Sequence, residues 1–120
     1  MDLSLCKLDA GKLSGGVWWT LTRQPDGTLT NERQLGWAGG DGTAVDTQGR
    51  IYTPSNGYAW VIDPKTGQFL GAFPTPAGTH ALHFGGPNRS TLFSLQLNAQ
   101  TTVHAIDTLV RGYQATEWKR

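Results

Sequence analysis

A spacing of about forty residues between matching strand-and-turn units constrains this chain more than any other feature of its sequence. Asp41 and His80 lie 39 residues apart, each opening a short run, Thr43-Ala44-Val45 in one case and Leu82-His83-Phe84 in the other. Tyr52 and Phe93 match at a spacing of 41, and the turn glycines Gly27 and Gly67 at 40. The endings Val61-Ile62-Asp63 and Ala105-Ile106-Asp107 match at 44. Small insertions in turns account for the drift. No segment of helical length carries a sustained 3.6-residue apolar stripe with a cap, so the repeating unit is built of strands. The expected fold class is all-β, a β-propeller of four-stranded antiparallel blades. Solenoids of helix pairs share the period but not the strand content.

The strands fall between strong turn signals. Val17 to Thr22 precedes Gln24-Pro25-Asp26-Gly27, and Thr28 to Leu35 returns. Asp46-Thr47-Gln48-Gly49 and Asp63-Pro64-Lys65-Thr66-Gly67 are further turns, each with a glycine where positive φ is needed. Residues 17–35 then supply the outer two strands of one blade, 42–73 a whole blade and 80–107 three strands of another. That is about two and a half blades, where about four to eight close a ring. Residues 1–16 form a poorly defined N-terminal segment, 17–112 the partial propeller, and 113–120 a tail or closing strand. An open arc leaves strand edges and blade faces uncovered. Either identical chains complete the ring as a homo-oligomer, or the sequence is part of a longer chain.

Composition narrows the partners. The 120 residues suit one domain with one modest core. A net charge of +1 with 16% charged residues and no cationic run argues against a nucleic-acid or anionic-membrane partner. Cys6 is the one cysteine, so no internal disulfide forms. Residues 1–20 lack a signal-peptide core and no apolar run reaches membrane length, which points to a cytoplasmic protein.

Strand alternation puts the loops at 36–41, 54–58, 74–79 and 95–101 at one end, together with Asp41 and His80. Both residues open inner strands, so their side chains converge near the axis. Spacing alone also allows Asp41 to be a turn aspartate bonding its own backbone. His80 reads as a polar channel wall, His83 as packed between blades and His104 as structural. Asp46, Asp63 and Asp107 read as strand-end residues with Asx-type bonding. Trp18, Trp19 and Trp60 lie in strands and serve packing, whereas Trp37, read on the loop before Gly39-Gly40-Asp41, is a substrate wall. Asn56, Thr79 and Asn98 are loop polar groups able to meet a hydroxylated ligand. Phosphate-cradling loops, Gly-x-Ser-x-Gly and cysteine-rich metal spacings are absent from the sequence.

The strings PDGTLTNERQL (25–35), GGDGTAVDTQGRIY (39–52), VIDPKTGQFLGAFPTP (61–76) and FGGPNRSTLF (84–93) resemble the senescence marker protein / gluconolactonase / luciferin-regenerating-enzyme family. The resemblance covers the C-terminal part of that family's six-bladed propeller. It implies a hydrolase of the gluconolactonase type that opens a sugar lactone or similar cyclic ester. It also implies one divalent cation in the central channel, Ca²⁺ first and Zn²⁺, Mn²⁺ or Mg²⁺ as substitutes. The family's Asp-Gly motif falls on Asp41-Gly42, which makes Asp41 the implied metal ligand and general base. His80, Trp37, Asn56 and Thr79 are the candidate substrate contacts. The family's other ligands, a glutamate and an asparagine, precede the matched region. A non-catalytic binding or assembly module, or an inactive partial propeller, is the alternative.

Overall fold

The computed structural model describes residues 2–8, 16–38, 41–98 and 100–113. Every regular element among them is a strand, in three antiparallel meanders. The first sheet holds β1 (Asp2–Leu8), β2 (Gly16–Arg23) and β3 (Leu29–Ala38). The middle sheet runs β4 (Ala44–Val45), β5 (Ile51–Ser55), β6 (Tyr58–Ile62) and β7 (Phe69–Pro74). The third holds β8 (Thr79–Gly85), β9 (Thr91–Gln96) and β10 (Thr102–Asp107). The all-β class is what the pattern predicts. No helix among the described residues is long and apolar enough to cross a membrane.

Local chemistry explains the hairpins. Asn56 and Gly57 take φ of 51° and 76°, both left-handed, which makes a two-residue turn whose twist matches its flanking strands. That turn pins the register Ser55↔Tyr58 through Ile51↔Ile62. Pro54 sits inside β5 without cost to the ladder. Strand β4 pairs only with Ile51 and Tyr52, so Pro54 keeps β6 as its neighbour and needs no amide on the other side.

The sheets stack in chain order around two apolar layers. Between the first and middle sheets, Leu35 packs with Ile51 and Ile62, with Val45 against them. Arg33 reinforces this junction by donating from its guanidinium to the carbonyls of Pro64 and Lys65, at 2.7 and 2.6 Å. Between the middle and third sheets, Ala44, Tyr52 and Ala59 meet Leu82, Phe84 and Leu92. The Tyr52 and Phe84 rings meet edge to face with centroids 5.2 Å apart. Ile51 and Leu92, each 1% exposed, contribute about 1.5–3 kcal/mol apiece by burial. The middle sheet is therefore covered on both faces along β5, where Ile51 to Pro54 are all buried, whereas β7 is exposed along most of its length.

The turn after β4 is tied down by a buried carboxylate. Asp46 is fully buried. Its Oδ1 accepts the backbone N–H groups of Gln48 and Arg50 at 2.9 and 3.0 Å. Its Oδ2 accepts Arg50 Nε–H at 2.7 Å and the Tyr52 hydroxyl at 3.0 Å. The chain end returns to this turn: Thr47 N–H donates to the Arg111 carbonyl and Tyr113 N–H to the Val45 carbonyl, both at 2.8 Å. Burial, and then the Asp46 charge, push the Tyr52 hydroxyl up to about 12 from its ordinary 10.0. A raised folded value means that this contribution to stability is complete below the unfolded pKa and disappears as pH climbs from about 10 towards about 12. A tyrosinate absorbance phase near pH 12 is expected, and it should vanish in Tyr52→Phe.

Candidate functional site

The edge strands β4 and β8 meet at their N-terminal ends. The N–H groups of Asp41 and Gly42 both donate to the His80 carbonyl at 3.0 Å, and Leu82 N–H donates back to the Gly42 carbonyl at 3.1 Å. Gly42 and Ala81 thus form a short parallel bridge between the middle and third sheets. Such approach needs a residue without a side chain. A Cβ built on Gly42 would lie 2.7 Å from the Ala81 Cβ.

This bridge brings Asp41 and His80 together. The distance from His80 Nδ1 to Asp41 Oδ2 is 3.0 Å. A carboxylate only accepts, so Nδ1 carries the proton and, in the neutral ring, Nε2 keeps its lone pair. The Asp41 side chain is 82% exposed and that of His80 43%. An ion pair this open is worth at most about 1 kcal/mol, so its consequence is orientation rather than stability. Chemically, it presents an anchored carboxylate beside an imidazole whose outer nitrogen is free to accept a hydrogen bond.

The other candidates fare differently. Thr79 adjoins His80, but its hydroxyl donates to the Pro76 carbonyl at 2.7 Å and serves the loop. Asn56 is exposed and forms the β5–β6 turn. Asn98 accepts the Gln100 N–H at 3.0 Å, an Asx turn. Trp37 is not on a loop. It lies within β3 opposite Val17, because the β2–β3 hairpin runs on to Gly16↔Ala38. The side chains of Trp37 and Trp18 lie outside the described residues, as do Gly39 and Gly40. His83 is exposed rather than packed between sheets, with Nδ1 2.7 Å from the Phe84 carbonyl. His104 Nε2 lies 3.3 Å from the Thr102 hydroxyl and 3.4 Å from Gln96 Oε1, a local contact on an outer strand.

Gly42 positions the pair, a role that its place in the Asp-Gly motif does not by itself disclose; the signal lies in its standing one repeat before Ala81, next to the aspartate.

A hard divalent cation takes oxygen ligands, six to eight for Ca²⁺. The described residues place one carboxylate here, with an imidazole beside it. No group of three or more His, Cys, Asp or Glu gathers among them. This donor set does not by itself fit such an ion, and no chemical step is routed through one. Compared with models of known protein families and with curated proteins, the chain matches none.

Proposed function

We propose that the three stacked sheets are part of a β-propeller and that the chain belongs to a gluconolactonase-type hydrolase. The substrate class is a sugar lactone or a similar cyclic ester. One observation carries the reading: residues at matching places in successive repeats, Asp41 and His80, arrive 3.0 Å apart where two inner strands meet. The four family-like strings, one of which supplies Asp41-Gly42, support it.

In this reading Asp41 is the base. Its carboxylate accepts a proton from a water that attacks the lactone carbonyl carbon. The tetrahedral intermediate collapses with cleavage of the ring C–O bond, and the departing alkoxide takes that proton back from Asp41 to give the open hydroxy acid and restore the carboxylate. His80 holds Oδ2 through Nδ1–H, and its Nε2 accepts a hydrogen bond from a substrate hydroxyl. The implied divalent cation, Ca²⁺ first, would need further oxygen ligands beyond the residues described here.

The test compares lactone hydrolysis by the native chain, Asp41→Ala and His80→Gln, each with and without added Ca²⁺, Mn²⁺ or Zn²⁺. Loss of the base is expected to lower the rate by about 100-fold or more. Equal rates in the native chain and Asp41→Ala remove the hydrolase assignment. The uncovered face of the third sheet favours a second reading, an assembly module, which that result would leave standing.

A further inference from the structure

Because the sheets repeat, one position can be compared with and without a neighbouring sheet. Ala59 in β6 is 0% exposed, while its counterpart 44 residues on, Val103 in β10, is 63% exposed. Val61 packs against the layer between the middle and third sheets, and its counterpart Ala105 is exposed. Tyr52 is buried under Phe84, and its counterpart Phe93 is only half-buried. The register puts Phe93 opposite His83 and Ala105, so these residues share one face. The other face shows no such difference. Ile51 and Leu92 are equally buried, and Thr53 and Ser94 are buried alike. The third sheet is therefore as well formed as the middle one and lacks a neighbour on one side only.

Scattered apolar residues on a surface need no explanation. A contiguous set whose counterparts are all covered by the next sheet does. We infer that this face of the third sheet is a docking surface for another sheet of the same build, and that a second copy of this chain supplies it. Each sheet in the stack has two unlike faces, one turned to the sheet before it and one to the sheet after. What must land on Val103 and Phe93 is a face turned to the sheet before, as Leu82, Phe84 and Leu92 land on Tyr52. The first sheet stands at the opposite end of the stack. The first sheet meets the middle sheet through Leu35 and Arg33, and no described residue places a sheet against its far side.

The third sheet of one copy and the first sheet of the next thus make a head-to-tail contact, the kind that closes into a ring or runs on as a filament. Three sheets per copy give six in a pair, within the four to eight with which such rings close. A closed pair leaves no sheet face uncovered.

Sedimentation equilibrium on the native chain, Val103→Glu, Val103→Lys and Leu70→Glu tests this. Val103 is exposed within the chain, so both charged variants should keep the native circular dichroism. The native chain is expected as a dimer at about 100 µM, and both Val103 variants should raise the dissociation constant at least about tenfold. Leu70, exposed on β7 of the middle sheet and so at neither end of the stack, should tolerate glutamate without change. A native monomer at that concentration, open polymers that grow with concentration, or unaltered dimers of both Val103 variants would each overturn the inference. None of these readouts depends on lactone hydrolysis.

Discussion

Asp46→Ala is expected to lower the unfolding free energy by about 3 kcal/mol, the low end of the range for breaking a buried ion pair. The low end applies because the Arg50 side chain is 28% exposed and can recover water. What remains after truncation is costly. Two backbone N–H groups, of Gln48 and Arg50, lose their acceptor, and so does the buried Tyr52 hydroxyl. The turn also anchors the returning chain through Thr47 and Tyr113, so its loss spreads beyond one loop. Asp46→Asn should fall between native and alanine. Its amide oxygen can still serve the two backbone donors, while its NH₂ faces Arg50 Nε. Urea unfolding gives the comparison, with midpoints ordered native, Asn, Ala at unchanged slope. A loss below about 1 kcal/mol for Asp46→Ala would mean that the network does not bear on stability.

Gly42→Ala is the second large effect, expected at about 1–3 kcal/mol from overpacking. Its φ lies outside the left-handed region, so the backbone itself tolerates alanine. The obstacle is the neighbour. The new Cβ would meet the Ala81 Cβ at 2.7 Å and its Cα at 3.2 Å. The two sheets must part, which lengthens the bonds between Gly42, His80 and Leu82 and separates Asp41 from His80. Ala81→Gly in the same chain removes the nearer contact and should restore part of the stability. The coupling in that double-mutant cycle is expected at about 0.5–3 kcal/mol. Additive losses would show that the two residues do not touch.

The sequence disclosed the repeat because turn glycines and strand endings keep their spacing even when the residues between them change. Runs such as Tyr58–Ile62 and Thr91–Gln96 were readable for the same reason, lying between strong turns. Strand β1 was readable only faintly, in the alternation of Leu3, Leu5 and Leu8. Gly11, Gly15 and Gly16 break up the segment that follows, and the pairing of β1 with β2 is a contact that no local pattern records. Trp37 was misplaced because Gly36 and Gly39-Gly40 look like loop. The hairpin nonetheless continues past Gly36 through an irregularity in register.

The site was legible in part. Matching positions implied that Asp41 and His80 lie at one end, and the bridge at Gly42 makes them partners. Asp46 was read correctly as a turn residue bonding nearby backbone. Alternation could not reveal that the same carboxylate is fully buried and also holds Arg50 and Tyr52, since that depends on the sheets packed around it.

Everything proposed for the site rests on the middle and third sheets meeting where Gly42 bridges Ala81. Residue-resolved amide hydrogen exchange reads that junction directly. The Gly42 and Leu82 amides, which bond across the two sheets, should exchange as slowly as those inside the β5–β6 ladder. Exchange of both at free-peptide rates, with β5 and β6 still protected, would show that the sheets fold without joining, and Asp41 and His80 would have no common site.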